Sequence, residues 1–173
     1  MLDLETLSTR PNAVILVIAA IKFNRNNKEE KIDREYFYTR IKIDSCLEVG
    51  CIIEDETVEW WNKQDEKIRY ESLENPDRIT LKEALEKFSE WYGNCTYIWG
   101  NGSSFDCTIL NESFKRCKIQ TPWKYYNERD LRTIMDIGKV YSNQLPQNEK
   151  HNAIFDCYRQ IIGLKMSLKN LHL

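Results

Sequence analysis

The sequence predicts an α/β fold in which a mixed β-sheet carries helices on its faces. Three observations carry this reading. The N-terminal quarter holds three apolar or aromatic stretches separated by turn-forming segments. A short apolar segment, TYIWG at 96–100, leads into a glycine-containing turn. Two later stretches space their apolar residues at i, i+3 and i+4, as helices lying on a sheet do.

In chain order, residues 1–7 and 13–23 read as two strands joined by the turn segment STRPN, and REYFYTRIKI (34–43) has the aromatic and β-branched content of a third. The polar run NRNNKEEKID (24–33) is the hairpin connection between the second and third. Thr57 is positioned to cap a short helix carrying VEWWNKQ. Thr80 and Glu83 have capping-box spacing, and behind them Leu81, Ala84, Leu85, Phe88 and Tyr92 form one apolar stripe. TYIWG is a buried strand, followed by a helix from about Ser104 to Cys117. The last helix runs from about Asn152 to Leu171 and buries Ala153, Cys157, Ile161, Leu164, Leu168 and Leu171.

A length of 173 residues suits one domain spanning 1–173. The chain is 42% hydrophobic and 30% charged, with a net charge of −2 and a pI near 5.8. It therefore lacks the basic field of most nucleic-acid binders, although cations loaded onto carboxylates can meet phosphates in its place. The longest apolar run, AVILVIAAI at 13–21, is too short to span a bilayer and follows an acidic start, so no membrane association is expected. The six cysteines form no C-x-x-C pair and read as reduced, mostly buried thiols of a cytoplasmic protein.

The opening MLDLETL contains a conflict. On a strand, Asp3 and Glu5 stand on one face, and at about 7 Å in an effective dielectric near 20 they repel by roughly 2 kcal/mol. An exposed face screened by water would tolerate the pair; a hard divalent cation held between them would convert the repulsion into binding. Two further pieces are each ambiguous alone. In WGNGSSFD, Asp106 falls in the first turn of a helix after a strand end, a position that is either a favourable dipole partner or a ligand site. In HNAIFD, His151 precedes the last helix and Asp156 follows by five residues; this histidine is one of two in the chain.

The ordered set D-x-E, N-x-x-x-F-D and H-x₄-D resembles the signature of the DEDDh exonucleases. Asp3, Glu5, Asn101, Phe105, Asp106, His151, Ala153 and Asp156 carry the resemblance. DLETL with PNAVIL, TVEWWNKQ, WGNGSSFD, PWKYYNERDLRT and HNAIFD are similar, more narrowly, to the branch of mycobacterial-type 3′–5′ exoribonucleases and the T-even phage exodeoxyribonuclease. The resemblance implies a ribonuclease-H-like, DnaQ-type fold and hydrolysis of single-stranded RNA or DNA from the 3′ end to nucleoside 5′-monophosphates. It implies two divalent cations, Mg²⁺ or Mn²⁺, held by Asp3, Glu5, Asp106 and Asp156, with Asp3 bridging them. One cation would lower the pKa of the attacking water and the other would stabilise the leaving oxygen. His151 would be the general base, since an imidazole is largely neutral at pH 7.

By the same resemblance, Thr6 and Leu7 would meet the terminal nucleotide, and Asn101 and Phe105 would belong to the substrate site. Trp60 or Trp61 could stack a base, while core packing is the alternative for each. Arg129, Asp130 and Arg132 either brace the sheet edge or touch phosphate, with the structural role favoured. A homodimer is compatible with the family, although no stripe in the sequence marks an interface.

The chain departs from the branch in two places. Only Met1 and Leu2 precede D-x-E on a strand that should be central, so the native start is expected upstream or the chain is truncated. Ala19-Ala20 stands where Gly-Ala is expected, and the added methyl would narrow the approach to the site. Two other functions compete with the exonuclease reading: an inactive nuclease-fold module that binds nucleic-acid 3′ ends, and a two-metal phosphoesterase acting on small nucleotides.

Overall fold

The computed structural model describes residues 1–27, 35–147 and 152–173. Five strands form one mixed sheet: β1 (Leu2–Thr6), β2 (Ile15–Ile21), β3 (Tyr36–Arg40), β4 (Ile98–Gly100) and β5 (Glu128–Asp130), in spatial order β3-β2-β1-β4-β5. The three N-terminal strands pair antiparallel, and β4 and β5 add in parallel. The helices are α1 (Ile43–Leu47), α2 (Asp55–Asn62), α3 (Glu66–Arg69), α4 (Leu81–Tyr92), α5 (Ser103–Arg116), α6 (Leu131–Ile137) and α7 (Ala153–Asn170). A π-helical turn at Tyr70–Glu74 follows α3. This is an α/β fold with a five-stranded mixed sheet between helices, consistent with the ribonuclease-H-like architecture.

β2 is buried along its whole length because it has strands on both sides and helices on both faces, which is why its sequence is continuously apolar. β1 sits at the centre of the sheet. Its ladder to β2 pairs Asp3 with Ala19 and Leu4 with Ile18, and Met1 exchanges both backbone hydrogen bonds with Ile21. Ala19 therefore shares a face with Asp3, and there α7 lies close enough for the Cys157 thiol to sit 3.5 Å from the Ala19 carbonyl oxygen. A small side chain at 19 is what that approach requires. On another side of the core, Phe37, Phe88, Tyr92, Phe114 and Trp123 pack through tilted and edge-to-face contacts of 5.3–6.2 Å.

Thr80 caps α4 as its spacing predicts, accepting the Glu83 N–H at 3.3 Å. Thr57 does not cap α2. The helix begins two residues earlier, at Asp55, and the Glu54 carbonyl receives the N–H groups of Thr57 and Val58, which places Thr57 inside the first turn. The third strand is shorter than its aromatic run, with Ile41 continuing only as an isolated bridge to Ile79. Most of the hairpin connection expected at 24–33 lies outside the described residues. Among those residues, no helix is long and apolar enough to cross a membrane.

Candidate active site

The central strand and the start of the last helix build the site together. Asp3 and Glu5 project from one face of β1, and α7 crosses that face with Asp156 in its first turn. Asn152 sets where α7 starts, since its side chain accepts the Phe155 N–H at 3.2 Å. One carboxylate oxygen from each of Asp3, Glu5 and Asp156 lies within 4.8 Å of the others, the one such cluster among the described residues.

Asp106 approaches from the opposite neighbour. β4 meets β1 only at Leu2 opposite Gly100 and then ends, so the Leu4 N–H extends past the last residue of β4. Asp106, in the first turn of α5, accepts that N–H at 3.1 Å. The turn between β4 and α5 is tight. A Cβ on Gly100 would lie 3.3 Å from the Asp106 carboxylate, and Gly102 has φ of +98°, where a side chain would also press on the Arg132 guanidinium at 3.2 Å.

Four carboxylates in this space strain one another. Burial, then the charges of Asp106, Glu5 and Asp156, hold the Asp3 carboxyl well above the usual carboxylate range. Burial, then the charges of Asp156 and Asp106, push Glu5, 9% exposed, up to about 8. Asp106 rises to about 7 through burial, held back by the Leu4 N–H and by Arg132. Clustered hard oxygen donors that resist ionisation until positive charge arrives suit Mg²⁺ or Mn²⁺.

Two side chains of α7 already answer the carboxylates. Gln160 Nε2 donates to Asp3 Oδ1 at 2.7 Å, and Arg159 Nη1 pairs with Asp156 Oδ1 at 3.1 Å. Neither was singled out in the sequence, although offsets of three and four from Asp156 place both next to it on a helix. They line a cleft of about 580 Å³ with Asp3, Glu5, Asn101, Arg132 and Tyr141 among its other walls.

The remaining candidates fall at varied depths. Thr6 is buried, and its carbonyl accepts the Trp61 indole N–H at 2.8 Å. Leu7 is buried and bonded through its backbone to Val14 and Glu54. Trp61 is 1% exposed and belongs to the core; Trp60, its ring edge-to-face at 5.1 Å, is 40% exposed. Phe105 packs on the core, and the Asn101 backbone N–H turns to Asp106. Asp130 braces the β4–α5 turn by accepting the Ser103 N–H at 2.6 Å, and Arg129 bonds the Tyr126 and Glu128 carbonyls and covers the Tyr97 ring. Arg132 instead lines the cleft. His151, the expected base, lies outside the described residues.

The family described as the 3′-5′ exoribonuclease Rv2179c-like domain has a model that matches residues 1–167. No curated protein matches the chain.

Proposed function

Because the chain belongs to the 3′-5′ exoribonuclease Rv2179c-like domain family, a family of hydrolases acting on RNA, we propose that it is a divalent-metal-dependent DEDDh exonuclease. It removes nucleoside 5′-monophosphates from single-stranded 3′ ends. The observation that carries this reading is the convergence of Asp3, Glu5 and Asp156 to within 4.8 Å, with Asp106 brought in from a third element, α5.

In this proposal Asp3, Glu5, Asp156 and Asp106 hold two Mg²⁺ or Mn²⁺ ions. When bound, such ions supply an activated water and charge stabilisation for the leaving oxygen. The protein contributes the rest. β1, α5 and α7 fix the carboxylates before substrate arrives, so little reorganisation is needed at the moment of reaction. His151 takes the proton of the attacking water, a role suited to an imidazole that is largely neutral at pH 7. By the family resemblance, Asn101, which lines the cleft, receives the terminal nucleotide with Thr6, Leu7 and Phe105, the first two buried at the end of β1; exposed Trp60 offers a stacking face while Trp61 holds the strand end.

The test is digestion of a 5′-labelled single-stranded oligoribonucleotide, with its deoxy counterpart alongside, in Mg²⁺, Mn²⁺ or chelator. A descending ladder that requires the cation is expected. Binding without products from the wild type in either cation would instead identify an inactive end-binding module.

A further inference from the structure

The cleft holds a cation where a metal site would not be expected to need one. Arg159 follows Asp156 by one helical turn and pairs with its Oδ1 at 3.1 Å, the two side chains only 17% and 16% exposed. We propose that Arg159 exchanges partners: it neutralises Asp156 in the metal-free protein and grips a backbone phosphate of the RNA strand once cations occupy the carboxylates. This rests on the nuclease reading above.

The side chain is incompletely used where it sits. Its Nε is buried with no hydrogen-bond partner among the described residues, although a guanidinium offers five donors in a planar fork that matches phosphate. It lines the same cleft as Asp3, Glu5 and Asp156, so a phosphate at the carboxylates would be within reach of a rotamer change. Charge balance gives the exchange its direction. Two divalent cations would cancel the four carboxylates and leave Arg159 without its anionic partner, with Asp136 the other carboxylate among the described lining residues. The incoming phosphodiester brings one negative charge into a half-buried site, and Arg159 and Arg132 are the cations among the described lining residues. Gln160 differs: its neutral amide can stay on Asp3 Oδ1 in both states, leaving the second oxygen for ligation.

The exchange makes metal and RNA respond in opposite directions to one substitution. Mn²⁺ binding to the full chain is measured by titration calorimetry. RNA binding is measured by the anisotropy of a labelled single-stranded oligoribonucleotide in Ca²⁺, for the wild type, Arg159→Met and Arg159→Lys. Arg159→Met should bind Mn²⁺ about fivefold more tightly, because a competing cation is gone. It should bind the oligoribonucleotide at least about tenfold more weakly, because a charge-assisted contact is lost. Arg159→Lys, which keeps the charge without the fork, should fall between on both scales and melt like the wild type. Weaker Mn²⁺ binding by Arg159→Met would overturn the proposal and make Arg159 a brace for Asp156; unchanged RNA affinity would overturn it as well. Failure of the nuclease reading is separate: the wild type would then yield no cation-dependent ladder, while both binding measurements would still decide the exchange.

Discussion

The carboxylate of Asp106 accepts the backbone N–H of Leu4, so a residue of the candidate site also completes the central strand where β4 stops short. The two roles can be separated. Asp106→Asn keeps an oxygen that can accept the Leu4 N–H, whereas Asp106→Ala leaves a buried donor unsatisfied, a cost of about 1–3 kcal/mol. Denaturant titration should therefore find Asp106→Asn close to the wild type and Asp106→Ala clearly destabilised, with both inactive on RNA. Full activity in Asp106→Asn would remove Asp106 from the site.

Gln160 provides a second separation. Its amide holds Asp3 Oδ1, while its own Oε1 is buried without a partner among the described residues. Gln160→Leu removes the support and also removes that orphaned oxygen, so stability should stay level or rise. Cation affinity should fall about tenfold, as it does when the partner orienting a ligand is lost. Calorimetric titration with Mn²⁺ checks this, and unchanged affinity would mean that packing alone fixes the Asp3 rotamer.

The neighbouring tryptophans should diverge. Trp61→Phe forfeits the bond to the Thr6 carbonyl and leaves a cavity in the core, at about 2–3 kcal/mol. Trp60→Ala should hardly change the melting curve but should raise KM for single-stranded RNA about tenfold if its exposed face stacks a base. An unchanged KM would assign Trp60 no part in substrate binding.

What the sequence made legible follows from which features are local. The shared face of Asp3 and Glu5 is a consequence of strand period, and the buried length of β2 and the Thr80 cap are equally local. β5 was not legible, because an edge strand reading Glu-Arg-Asp carries neither apolar alternation nor β-branched residues. The bond from Leu4 to Asp106 depends on where one strand ends beside another, which no spacing encodes. The start of α2 is not legible either, because Glu54 is an unpromising cap by residue type, and its side chain is committed elsewhere.

That commitment yields a pH dependence. The Glu54 carboxylate accepts the Ser8 hydroxyl at 2.8 Å and the Thr9 N–H at 2.9 Å, and pairs with Arg10 at 3.0 Å, tying the turn after β1 to the start of α2. These bonds, the Thr9 N–H foremost, hold its carboxyl down at about 2 against an ordinary value of 4.5. A depressed carboxyl pKa means that the unfolded chain takes up the proton first as pH falls. The stabilisation is therefore complete above about pH 5 and lost progressively as pH drops from 4.5 toward 2. Glu54→Gln should be less stable than the wild type at neutral pH, and the gap between them should close over that acid range in chemical denaturation at stepped pH. A gap that stayed constant down to pH 2 would show that the carboxylate charge at Glu54 contributes nothing to holding the turn.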